Sequence, residues 1–79
     1  MKSYSYVAMC VDGKQTSTIE IWREGNIFRA YEYDEAVYAG GWLGLMEYIK
    51  KWKESKTALK KYLEETIGAA VTFEQTISE

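Results

Sequence analysis

The chain has 79 residues, 47% of them apolar and 28% charged, with a net charge of −2, one cysteine and no histidine. Without histidine the usual neutral-pH general base and the commonest metal ligand are missing, and Cys10 alone forms neither an intramolecular disulfide nor a thiolate zinc site. No apolar run approaches the ~18 residues that span a bilayer, and the first residues lack the apolar core of a signal peptide, so the expectation is a cytoplasmic protein without membrane contact.

Residues 1–79 are read as a single compact domain with a thin core, since a chain of this size buries little more than ~60% of its unfolded surface. Seven Tyr, three Trp and two Phe offset that small size, because each ring can bury roughly 150–250 Å². Charge is banded along the chain. Residues 1–49 carry a net −3, residues 50–61 a net +5 from six lysines against Glu54, and residues 62–79 a net −4.

The first third predicts a three-stranded antiparallel meander. Tyr4–Val11 and Gln15–Arg23 are rich in β-branched and aromatic residues, and Asp12-Gly13 between them is a hairpin signal. A second turn at Glu24-Gly25-Asn26 leads into Ile27–Tyr33. With both turns in phase, Val7, Met9, Val11, Ile19, Ile21, Phe28 and Ala30 share one face. The other face then carries Tyr4, Tyr6, Ala8, Cys10, Thr16, Thr18, Glu20, Trp22, Ile27, Arg29, Tyr31 and Tyr33.

Asp34–Gly41 reads as a helical turn or as the tail of a strand, ended by Gly40-Gly41. From Trp42 a helical period holds through Leu45, Ile49, Trp52, Leu59, Leu63 and Ile67, interrupted at Lys56, and Gly68 is a stop. One helix of about 26 residues would reach ~39 Å, against ~26 Å for an eight-residue strand. It would overhang the sheet, either unbroken or with a break near Glu54-Ser55-Lys56. Ala70–Ile77 alternates again and predicts a C-terminal fourth strand, at a sheet edge or paired with another chain. The expected class is α+β, ordered βββ-α(α)-β.

Several clusters carry side chains capable of chemistry. Glu32, Asp34 and Glu35 match no calcium-loop spacing and read as a solvated strand end. Cys10 lies beside Met9 in an apolar strand with no base to lower its pKa. Gly40, Gly41 and Gly44 match no phosphate-binding pattern and read as a hinge or as close packing of helix on sheet. No catalytic residue, cofactor or metal is expected. Lys50, Lys53, Lys60 and Lys61 fall away from the apolar stripe and could meet phosphates or an acidic partner, yet Glu47, Glu54, Glu64 and Glu65 stand at intrahelical pairing distance.

The aromatic face is the candidate that composition favours. Tyr4, Tyr6, Trp22, Arg29, Tyr31 and Tyr33 are the residue types that dominate protein-binding hot spots. Either a partner or a second copy covers them, or the chain's own C-terminal part does. In size and format the chain resembles the small inhibitor proteins of phages and mobile elements, anti-CRISPR proteins among them, a resemblance that rests on no particular residue. It implies a non-enzymatic inhibitor or adaptor with a host or cognate protein as partner. The alternatives are a nucleic-acid-binding module using the Lys50–Lys61 helix and a structural homodimer.

Overall fold

The computed structural model describes residues 2–77. Strands β1 (Lys2–Val11), β2 (Lys14–Glu24), β3 (Ile27–Glu32) and β4 (Glu35–Gly40) are followed by helices α1 (Trp42–Ser55) and α2 (Thr57–Thr66) and by β5 (Val71–Thr76). They form one five-stranded antiparallel sheet in the order β4-β3-β2-β1-β5, with the bent helix across one face.

Turn chemistry sets the register. Asp12 and Gly13 both take positive φ, 51° and 81°, the two-residue type I′ geometry whose twist matches that of the strands. Val11 therefore pairs with Lys14. Asp12 also joins the hairpin to the start of β5: its amide donates to the Ala70 carbonyl at 2.8 Å and its Oδ1 accepts from the Ala70 amide at 2.9 Å. Gly25 takes a φ of 61°, which suits the first position of a type II′ turn, and Glu24 pairs with Ile27. A bulge between Met9 and Cys10 absorbs one residue of β2 without disturbing the alternation nearer the centre.

The expected core set holds in full. Val7, Met9, Ile19, Ile21, Phe28 and Ala30 are buried together with Leu45, Ile49 and Trp52 of α1, and Val11 is partly buried against them. Trp42 packs on Phe28 with ring centroids 5.5 Å apart, and Trp52 meets Phe73 edge-on at 6.0 Å, so α1 crosses the sheet from β3 to β5. The Trp52 indole N–H donates to Glu32 Oε2 at 2.7 Å, which satisfies the one polar atom of that ring.

The helix is bent, not continuous. Ser55 Oγ donates to the Trp52 carbonyl at 2.6 Å and Thr57 Oγ1 to the Lys53 carbonyl at 3.3 Å. Hydroxyls that bond back into the preceding turn bend helices, and here they flank Lys56, where α1 gives way to α2. Gly68, at φ 67°, turns the chain back toward β5, while the Ile67 and Ala69 amides both donate to the Leu63 carbonyl.

Two expectations need correction. The meander has four strands rather than three, because Glu35–Gly40 pairs with β3 as an edge strand, and the C-terminal strand is therefore the fifth. Strand β3 ends at Glu32, so Tyr33 sits in a turn with Asp34 at φ 51° and 65° instead of on the strand face. Both angles fit a type I′ turn built without glycine, and a bulky residue in this region is strained. The glycines do serve close packing: Cβ atoms built at Gly40 and Gly44 would run into the Tyr38 ring, which stacks on Tyr48 and donates its hydroxyl to the Gly41 carbonyl at 2.8 Å.

Tyr33→Asn should raise stability in urea unfolding by about 0.5–1 kcal/mol, because asparagine tolerates a positive φ that tyrosine resists. Gly44→Ala should lower it by about 1–3 kcal/mol despite the better helix propensity of alanine, since the anchored Tyr38 ring cannot retreat. Tyr38→Phe introduced beside Gly44→Ala should recover part of that loss by removing the nearest atom.

Candidate protein-binding face

The helices cover only one side of the sheet. On the other side, Tyr4 and Trp22 are cross-strand partners, with ring centroids 5.0 Å apart and tilted by 58°. Trp22 in turn opposes Arg29 on β3, and Glu20 opposes Tyr31. Tyr4, Trp22, Ile27 and Arg29 are exposed and Tyr31 is half-buried. β5 pairs at the sheet edge instead of folding across this face, so the chain's own C-terminal strand does not cover it.

The sheet twists into two shallow depressions here. One, about 660 Å³, is lined by Trp22, Glu24, Arg29 and Tyr31. The other, about 220 Å³, is lined by Gln15, Thr16, Thr18, Glu20, Tyr31, Tyr33 and Asp34. Tyr31 is the wall shared between them. Glu24 was missed as a site residue, although it lies two residues from Trp22 on the same strand and so must share its side.

The six expected residues are not brought together equally. Tyr4, Trp22, Arg29 and Tyr31 form a continuous group, whereas Tyr33 stands at the β3–β4 turn, 76% exposed. Tyr6 is held toward β5, its hydroxyl 3.2 Å from Glu74 Oε2, and Gln15 Nε2 donates to the same oxygen at 3.3 Å. The hydrogen bond to Glu74 raises the Tyr6 pKa above its ordinary value of 10.0, helped by desolvation. Ala8 and Cys10 lie on this same side yet are buried. Their flanking cross-strand partners, Thr18 and Glu74 for Ala8, Gln15 and Thr72 for Cys10, carry taller side chains. Burial chiefly, with Glu74 nearby, pushes the Cys10 thiol pKa up, which disfavours the reactive thiolate.

The electrostatics of the face are lopsided. Glu20, Glu24 and Asp34 line its depressions together with Arg29, Glu74 borders them, and Lys2 stands opposite Glu24 in the β1–β2 ladder. The lysines of the chain's basic band are on the two helices or, for Lys56, between them. There, Lys60 Nζ lies 3.0 Å from Glu64 Oε1. Lys53 Nζ donates to Gln75 Oε1 at 2.8 Å and sits 5.9 Å from the centre of the Phe73 ring. Lys50 and Lys61 are exposed. The four lysines singled out from the sequence therefore include two with partners inside the fold.

Among the described residues no group of three or more metal-ligating side chains is assembled, and no helix is long and apolar enough to cross a membrane. Glu32, part of the acidic cluster at the strand end, serves Trp52. No protein-family model, curated protein or solved structure matches the chain.

Tyrosine ring NMR should show Tyr6 ionising above the ordinary tyrosine value of 10.0. Because the folded pKa is raised, its contribution to stability is complete below the unfolded value near 10 and is lost as pH climbs through the folded value. Glu74→Gln should bring the Tyr6 titration back down, and an unchanged Tyr6 titration in that variant would show that Glu74 is not its cause.

Proposed function

We propose that this domain is a non-enzymatic protein-binding module whose open sheet face docks on a partner protein, as an inhibitor or adaptor does. The observation that carries the reading is the uncovered patch of Tyr4, Trp22, Arg29 and Tyr31 around the larger depression. Stiff rings with polar tips and an arginine are the side chains from which hot spots are built, and they bind best when a neighbouring depression lets a partner group desolvate them. Contiguous exposed aromatic surface of this kind is uncommon on monomers that have no partner.

Charge narrows the kind of partner. Glu20, Glu24, Asp34 and Glu74 outnumber Arg29 and Lys2 around the patch, so a surface presenting basic and apolar groups is complementary, whereas a phosphate backbone is disfavoured. The same balance counts against stacking of nucleic-acid bases on these rings. A nucleic-acid role for the lysine helix is weakened by the engagement of Lys53 with Gln75 and of Lys60 with Glu64. The phage or mobile-element setting and a cytoplasmic host or cognate partner rest on size and format alone.

Trp22→Ala, Arg29→Ala and Tyr31→Ala test the proposal. Each should leave circular dichroism and melting close to the parent protein, because none of the three side chains is in the core. Each should weaken capture of the cognate partner by roughly 30-fold or more, the loss expected of a ~2 kcal/mol hot spot. Lys50→Ala with Lys61→Ala should not change it. Full binding by all three face variants would remove this face from the function, and a gel shift of nucleic acid at low salt, lost in the lysine variant, would move the function to the helix.

A further inference from the structure

β5 is an outermost strand, paired to β1 on one side and to no other described strand on the other. Natural sheets protect such edges with lysine, proline or bulges. Val71–Thr76 has no lysine or proline, and its ladder with β1 runs without a register shift. The opposite edge differs: the β3–β4 ladder is interrupted by a bulge between Ala30 and Tyr31, and β4 ends in Gly40. Among the described residues, only the β5 edge thus lacks a lysine, a proline and a bulge, with Glu74 as its one charge.

An uncovered helix face lies at that same edge. α1 reaches β5 through Trp52 on Phe73 and Lys53 on Gln75, and α2 runs on from there without a single buried residue. Leu59, Tyr62 and Ile67 remain 44%, 60% and 65% exposed. Together with the half-buried Leu63 they follow the three-to-four spacing of one helix face, and they continue the stripe that α1 buries through Leu45, Ile49 and Trp52.

We propose that a second copy of the chain occupies this edge, the two β5 strands pairing antiparallel about a two-fold axis normal to the sheet. That axis leaves both helical layers on the same side of a continuous ten-strand sheet. One operation therefore satisfies the unpaired backbone of β5 and brings the two α2 faces toward each other. β5 is compatible with its own reversed sequence. With Phe73 opposite its copy, Glu74 faces Thr72 and Val71 faces Gln75, so no like charges are directly opposed. On α2, Lys60 is already neutralised by Glu64 at 3.0 Å. Six residues of β5 and ten of α2 fall short of the ~20–30 per side of a standard interface, so the dimer dissociates in the micromolar range. This surface is separate from the aromatic face, which stays open in the dimer.

Sedimentation equilibrium from about 10 µM to about 1 mM reads the association directly. The parent protein should pass from monomer to dimer across that range. Leu59→Glu combined with Ile67→Glu, both exposed in the fold, should weaken the dimer at least tenfold. Thr72→Lys, which meets Glu74 of the second copy twice, should tighten it several-fold, and Thr72→Glu should loosen it by a similar factor. Trp22→Ala should leave it unchanged, which separates this proposal from the one for the aromatic face. A monomer at every concentration overturns the proposal. So does a dimer that ignores the Thr72 and α2 changes, or one that Trp22→Ala abolishes.

Discussion

The structure depends on one packing event, the burial of the α1 stripe of Leu45, Ile49 and Trp52 against the aliphatic side of the sheet. Removing one such fully buried side chain costs about 2–5 kcal/mol, a large share of the ~5–15 kcal/mol that holds a domain folded. Among the described residues the helices form one layer, on one side of the sheet. A five-stranded sheet with one layer has one dry face and one wet face. The asymmetry of the molecule follows from that single layer.

Trp52 is the joint at which the parts meet. Its ring closes the core against Phe73, its N–H is satisfied by Glu32, and its carbonyl accepts the Ser55 hydroxyl that helps bend the helix. The strand-end carboxylate, the edge strand and the bend are therefore coupled through a single side chain. Past this joint α2 keeps only the half-buried Leu63 against the core, and the rest of its apolar stripe loses its cover. Leu59, Tyr62 and Ile67 are left exposed beyond that contact.

Charge is partitioned along the same division. Carboxylates gather around the aromatic face, while the lysines of residues 50–61 stand on the helical side. Such separation does little for stability, since exposed pairs are worth ~0–1 kcal/mol. It does orient encounters, because a basic partner is drawn to one side of the molecule and away from the other. The wet face thus carries both the exposed rings and the carboxylates that surround them.

Sequence alone determined the first two antiparallel hairpins, the seven apolar core positions of the sheet and the span and stop of the helical region. Those features are local: Asp12-Gly13 fixes a turn, period two fixes a face, and period 3.6 fixes a stripe. It did not reveal β4, because the Tyr33-Asp34 turn carries no glycine and its positive φ values are imposed by the pairing of Glu32 with Glu35 across it. Nor could it choose between one helix and two, since the bend comes from Ser55 and Thr57 hydroxyls that could equally have faced water. Which lysines are free, which face is covered and why Gly44 must lack a side chain are contacts between residues distant in the chain. Only the tertiary structure decides these, because they depend on where separate elements come to rest.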